Sequence, residues 1–335
     1  MVNYRCNAAC RHCLYACSPS RKPGYINKEK IKEVCNLLIK GRIGSVHIGG
    51  GEPFLDFQGL ITVVRYLANT GVRLDYIETN AFWVNDPKAN EYIKTLINEG
   101  VDALCISIDP FHAEYVPWGF PLDLAEKCNK HGLGYFLWKP EYIRQLSKLD
   151  RNKRHSHDDL KSALGEDYIG RTAASYGIGF SGRAINIEDE FFKPKSHDPD
   201  RTDSHDSANS IKGLLDTEPC ENLLSTGHFH IDLDGFFIPP GCTGLRLPLE
   251  ELLEGTQTAK YPVYEALYKG GITALYKFAL EQGFIPQKKA YPSKCNLCFY
   301  IRKYLSSAAG KSSSYAKMHL AELDDEFYKE ALGHY

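Results

Sequence analysis

Three cysteines share one short loop. Cys6, Cys10 and Cys13 lie in Cys-Asn-Ala-Ala-Cys-Arg-His-Cys, with three and then two residues between them. Thiolates are the usual ligands of iron–sulfur clusters, and a cluster held by three of them keeps one iron open to another ligand. A zinc knuckle is the plainer alternative, but zinc normally takes four nitrogen or sulfur ligands and this loop offers three thiols. A second group, Cys220, Cys242, Cys295 and Cys298, lies in the C-terminal third. Cys295 and Cys298 form a C-x2-C pair, and Cys220 and Cys242 flank a hairpin whose turn is Asp234-Gly235. Four thiols are enough for a closed site, either zinc or an iron–sulfur cluster. Cys35 and Cys128 fall on apolar helical stripes and read as inert core residues. Cys17, just after the first loop, and Cys105, on a strand, are candidates for thiol chemistry such as hydrogen-atom donation.

The elements that would position these groups alternate between strand-like and helix-like segments over the first 185 residues, the pattern of a parallel sheet with crossover helices. Strands are expected at residues 2–5, 45–48, 74–79, 103–109, 135–138 and 175–181. Helices are expected at 27–39, with Asn27 as N-cap, at 59–69, after Pro87, at 122–131, and from Glu141. Gly49-Gly50-Gly51-Glu52-Pro53 follows the second strand directly, and glycines there admit a close approach that a Cβ would obstruct. Thr79 and Asn80 end the third strand. Cys105, Ser107 and Asp109 alternate on the fourth and are expected to share a face. Residues 188–209 turn sharply polar and read as a loop or linker.

Composition narrows the class. Of 335 residues, 43% are hydrophobic and 24% charged, as in an ordinary globular chain. The net charge of −2 gives no electrostatic reason to expect nucleic acid as a partner. No apolar run approaches the length of a membrane span. A cysteine motif beginning at residue 6 leaves no room for a signal peptide, so a cytoplasmic protein is expected, its cysteines free or metal-bound.

The C-x3-C-x2-C loop followed by Gly-Gly-Glu-Pro resembles the radical S-adenosylmethionine (radical SAM) enzymes. The resemblance implies a partial (βα)6 barrel of the TIM type with its site at the C-terminal ends of the strands. It also implies a [4Fe-4S] cluster on Cys6, Cys10 and Cys13 whose open iron binds SAM. In that setting His12 lies against the adenine, and Gly49, Gly50 and Gly51 let backbone carbonyls approach the SAM ammonium. Glu52 fixes the turn or accepts from that ammonium. Thr79, Asn80, Ser107 and Asp109 lie at the barrel mouth, and Arg183 could pair with the methionyl carboxylate. The four later cysteines resemble a twitch or SPASM-type extension carrying one auxiliary [4Fe-4S] cluster. The implied organisation is a barrel over 1–185, a polar connection over 186–210 and an auxiliary-cluster domain with a C-terminal helix over 211–335. A reductant such as flavodoxin or ferredoxin is the implied redox partner.

Further segments resemble the peptide-epimerase branch: Arg5-Cys-Asn-Ala-Ala-Cys, Gly50-Gly-Glu-Pro-Phe-Leu-Asp, Asn80-Ala-Phe-Trp and Ile106-Ser-Ile-Asp-Pro-Phe-His. Such enzymes abstract an α-hydrogen and return one from a cysteine thiol, the role open to Cys105 or Cys17. Where those epimerases have two adjacent cysteines after the hairpin, this chain has Pro240-Gly241-Cys242-Thr243. Crosslinking or other C–H chemistry therefore stands beside epimerisation. No leader-binding module is expected before the barrel, so a peptide is expected to need another docking surface or a separate partner. Two other readings remain: a small-metabolite substrate, with His112, Glu114, Tyr115 and Trp118 lining its pocket, and a non-catalytic iron–sulfur or zinc protein.

Overall fold

A computed structural model of the chain describes residues 1–176, 181–191, 209–216, 220, 223–255, 258–308, 320 and 322–332. These divide into two compact units. The first comprises Met1–Arg11, Ala16–Gly177 and Ile231–Phe236, and the second His12–Tyr15, Ile178–His230 and Phe237–Tyr335.

The first unit is built on four parallel strands, β1 (Ser45–Ile48), β2 (Arg73–Thr79), β3 (Ala103–Ser107) and β4 (Gly134–Trp138), hydrogen-bonded in that order. The crossovers carry α1 (Lys28–Lys40), α2 (Phe57–Ala68), α3 (Ala89–Asn98), the short α4 (Pro110–Ala113) and α5 (Gly119–His131). Capping fixes where these helices begin. The Asn27 side chain accepts from Lys30 N at 2.8 Å, and Asp56 accepts from Gly59 N at 2.9 Å. Ile31, Cys35 and Leu38 of α1 are buried with Leu60, Val64, Ile93, Leu96 and Leu124 against one face of the sheet, to which the strands contribute Ile48, Ile77, Leu104 and Ile106. Three small helices follow, α6 (Ile143–Leu146), α7 (His157–Leu164) and α8 (Tyr168–Tyr176).

One irregularity decides which side chains face away from that core. Between the pairs Val46↔Leu74 and Ile48↔Ile77, β1 advances two residues and β2 three. The extra residue is a bulge that keeps both Leu74 and Ile77 on the helix side. Tyr76 and Glu78 are left on the opposite face, with His47, Cys105, Ser107, Phe136 and Trp138.

The expected six strands are met by four in this sheet. Residues 2–5 form no named strand, yet they run beside the glycine turn through Val2 N→Gly49 O, Gly51 N→Asn3 O and Glu52 N→Arg5 O. The expected strand at 175–181 is corrected in part: Ser175 and Tyr176 close helix α8, and residues 177–180 lie outside the described residues. The polar connection is corrected likewise. Residues 186–191 belong to helix α9 (Ala184–Phe191), and 192–208 lie outside the described residues.

The second unit continues with α10 (Ile211–Leu215), α11 (Leu249–Glu254), α12 (Pro262–Glu281), α13 (Lys294–Ala308) and α14 (Asp325–Leu332). Helix α12 is kinked at Gly270 and Gly271, the latter at φ 59°. Short strands β5 (His230–Ile231), β6 (Phe236–Ile238) and β7 (Leu247–Pro248) form a small sheet. The expected hairpin turn is present within Ile231–Phe236 of the first unit, with Gly235 at φ 85° and Asp232 Oδ1 accepting from Asp234 N and Phe236 N, each at 2.9 Å.

Candidate functional site

In the first unit the glycine turn is a packing solution. A Cβ on Gly51 would stand 2.0 Å from Arg5 O, and one on Gly50 would stand 2.8 Å from Asn3 O. Only bare backbone lets the chain leading into Cys6 lie this close. Asn3 reinforces the contact, donating from Nδ2 to Glu52 O at 2.9 Å.

Glu52 then ties this turn to the end of β2. Its carboxylate accepts from Phe54 N (3.1 Å), Thr79 Oγ1 (3.0 Å) and Asn80 N (2.8 Å). It is almost fully buried, and desolvation pushes its pKa up to about 7 against the pull of those three donors. The Thr79 hydroxyl is also spent on accepting from Trp83 Nε1 at 3.0 Å, so Thr79 holds Glu52 in place. Asn80 reaches the cysteine loop: its Nδ2 lies 2.8 Å from Asn7 Oδ1 and 3.8 Å from Cys6 Sγ. Cys6 and Cys10 are buried in this unit.

Asp109 departs from the expected alternation, because β3 stops at Ser107. It caps α4 instead, accepting from Phe111 N (2.8 Å) and His112 N (3.0 Å), with Pro110 at the first helical position. Its second oxygen meets His112 Nδ1 and accepts from Tyr176 OH at 2.5 Å. Burial alone would lower the His112 pKa, but the Asp109 carboxylate and Cys10, which is hydrogen-bonded to His112, raise it well above the usual value. The loop expected to line a metabolite pocket thus braces the cysteine loop. Glu114 pairs with Arg11 at 3.1 Å, and Trp118 Nε1 donates to Leu149 O at 3.2 Å.

The open face of the sheet holds a polar and aromatic set that sequence reading missed, apart from Cys105 and Ser107. His47 stacks on Tyr76 at 4.9 Å between centroids and lies 3.4 Å from Glu78 Oε1, and Tyr76 meets Phe136 edge-on at 5.2 Å. Burial pushes Glu78 up to about 7. Cys105, paired with Glu78 in the register of β2 and β3, is pushed up to about 12 by burial and by that carboxylate. Its thiol therefore keeps its proton at neutral pH. Cys17 is buried in the same unit.

The second unit contains the rest. Cys13 is half-buried, and its carbonyl accepts from Arg183 N at 3.0 Å. Gly182 makes the contact possible, since a Cβ there would stand 2.2 Å from Leu14 O. Arg183 is fully buried, and His12 belongs to the same short stretch as Cys13. The four later cysteines converge. Burial raises the thiol pKa of each, and every pair among Cys220, Cys242, Cys295 and Cys298 is close enough for one thiolate to disfavour another. Cys242 is pushed up to about 12. Such thiols ionise readily only with a bound metal or a nearby cation. No disulfide joins any of the eleven cysteines.

Among the described residues no helix is long and apolar enough to cross a membrane. Residues 2–148 match the model of the radical SAM superfamily. Over 132 residues the chain is 31% identical to the putative peptide biosynthesis protein YydG of Bacillus subtilis, a stretch covering 39% of this chain and 41% of that protein. Over 62 residues it is 39% identical to the mycofactocin maturase MftC of Mycobacterium tuberculosis, covering 18% of this chain and 16% of that one. The chain thus spans less than half the length of the curated relatives it matches.

Proposed function

We propose that residues 2–148, which match the radical SAM superfamily model, fold as a radical SAM domain and that the chain as a whole is an enzyme that modifies a C–H bond of a peptide. The observation that carries this reading is the hydrogen-bonded frame of Asn3, Glu52, Thr79 and Asn80, which fastens the cysteine loop to the strand ends through a turn only glycine permits. Cys6, Cys10 and Cys13 would hold a [4Fe-4S] cluster. Gly49 to Gly51, Glu52, Asn80, Ser107, His12 and Arg183 are the groups available to SAM. Asp109 and Thr79 act one step back, as the braces of His112 and Glu52. When bound, the cluster and SAM supply reductive cleavage to a 5′-deoxyadenosyl radical that abstracts hydrogen. A flavodoxin or ferredoxin would deliver the electron.

The chain's own residues provide the remainder. Cys105 keeps its S–H at working pH, as a hydrogen-atom donor must, on the same face as Ser107. Cys17 is the alternative donor. Cys220, Cys242, Cys295 and Cys298 would hold one auxiliary [4Fe-4S] cluster. Zinc, with sulfurs at about 2.3 Å in a tetrahedron, draws its four thiolates closer together than a cluster does. Among the described residues these thiols do not figure in the groups of three or more ligand atoms within 4.8 Å of one another. A peptide substrate is supported by the printed names of both relatives, a peptide biosynthesis protein and a maturase.

The test is product analysis with short peptides encoded beside the gene, in deuterated water, with the reduced and reconstituted protein. Gain of one deuterium indicates epimerisation, and loss of two hydrogens indicates crosslinking. 5′-Deoxyadenosine released with every such peptide left unmodified would count against a peptide substrate.

A further inference from the structure

Four thiolates around a metal leave a net negative charge, and the second unit supplies a counter-charge to meet it. Arg302 lies four residues after Cys298 on α13, so the two side chains share one face of the helix. It is only 3% exposed. Its Nη1 donates to Thr243 O and to Tyr328 OH, each at 2.9 Å, which anchors the guanidinium beside the residue that follows Cys242. A further hydrogen bond joins it to Cys298, and its charge reaches Cys220, Cys242 and Cys295 as well. Its Nε is buried without a hydrogen-bond partner, and among the described residues no carboxylate pairs with it. Burying a guanidinium is costly unless negative charge faces it, and among the described residues the groups whose negative charge acts on it are the cysteine thiolates and Tyr328.

We propose that Arg302 is the counter-charge of the four-cysteine centre and sets its reduction potential, favouring uptake of an electron there. The proposal rests on reading Cys220, Cys242, Cys295 and Cys298 as ligands of an auxiliary [4Fe-4S] cluster. On reduction one electron enters, no bond to the protein changes, and the negative charge of the centre grows by one. Arginine stays charged at any working pH, so it stabilises the reduced form with no accompanying proton. Hydrogen bonds to the sulfurs and net charge are among the factors that set such potentials. A centre poised upward in this way accepts electrons more readily, which an oxidative outcome at the substrate requires.

The experiment uses the full chain carrying Cys6→Ala, Cys10→Ala and Cys13→Ala, so that only the second centre reports. Metal content is measured first, then the midpoint potential by redox titration followed by electron paramagnetic resonance, with Arg302, Arg302→Lys and Arg302→Gln compared. The expected result is about four irons in each, with Arg302→Gln shifted to lower potential. At the wild-type midpoint its reduced-to-oxidised ratio should fall about tenfold, equivalent to 59 mV for one electron, and Arg302→Lys should shift less. An iron-loaded Arg302→Gln variant with the same midpoint as the Arg302 parent would overturn the role of Arg302 and leave the cluster reading standing. If Arg302→Gln loses its iron, the lysine variant decides: iron retained supports the counter-charge, and iron lost marks Arg302 as merely structural. One zinc and no iron in the Arg302 parent would overturn the cluster reading itself, and the redox role with it.

Discussion

Gly51→Ala is the sharpest perturbation the fold offers. The new methyl would sit 2.0 Å from Arg5 O, 2.4 Å from Arg5 C and 3.0 Å from Cys6 N. All three are backbone atoms, so no rotamer change relieves the overlap. The chain leading into the cysteine loop must move, and Glu52 N→Arg5 O (3.1 Å) and Gly51 N→Asn3 O (2.9 Å) lengthen with it. Overpacking of this kind costs about 1–3 kcal/mol, and two backbone hydrogen bonds add about 1 kcal/mol each. We expect about 3–5 kcal/mol of lost stability, together with iron depletion confined to the first cluster site. Gly44→Ala is the control, since nothing lies within 4 Å of its Cβ position. Urea unfolding of the apo proteins gives the stability, and iron content after anaerobic reconstitution gives the occupancy. If Gly51→Ala matches Gly44→Ala in both, the packing argument for the glycine turn fails.

Three further outcomes follow from the same geometry. Asn80→Ala removes the amide that reaches Asn7 Oδ1 and Cys6 Sγ, worth about 1–3 kcal/mol; iron should leave the first site about tenfold faster in a chelator challenge, and an unchanged rate would show that Asn80 does not brace the loop. Glu52, raised by burial to about 7 from 4.5, keeps its proton longer in the folded state, so its contribution to stability falls as pH rises from about 4.5 to about 7 and then levels off. Glu52→Gln removes that slope, so relative to wild type it should gain about 2.5 kcal/mol between pH 5 and pH 8 in urea unfolding, whereas an equal difference at both pH values would show that Glu52 is not held protonated. Glu78→Gln removes the second cause of the raised Cys105 pKa, after burial, so the pH profile of Cys105 alkylation, followed by mass spectrometry, should move to lower pH; an unmoved profile would separate the two groups.

Much of the positioning scaffold was legible in the residues themselves. Asn27 announced α1, and the glycine run after Ile48 marked where the loop before Cys6 had to approach. The Asp109-Pro110 pair also carried its signal, an N-cap before a proline at the first helical position, but strict alternation with Cys105 and Ser107 hid it. The bulge in β2 had no such mark. It depends on pairing with β1, so the open-face positions of Tyr76 and Glu78, and the neighbourhood of Cys105, could not be read from β2 alone. Thr79 fell on the core side with Ile77, where its hydroxyl meets Glu52 and Trp83. Arg302 was legible in principle, four residues past Cys298 on one helix. Its meaning emerges only when Thr243 and Tyr328, distant in sequence, close around it.

The most direct test of the account is release of 5′-deoxyadenosine from SAM by the anaerobically reconstituted, dithionite-reduced protein, compared with its Cys6→Ala/Cys10→Ala/Cys13→Ala variant. The account predicts release by the wild-type protein and none by the triple variant, even while that variant keeps iron at Cys220, Cys242, Cys295 and Cys298. No release from iron-loaded wild-type protein, or equal release from both, would contradict it.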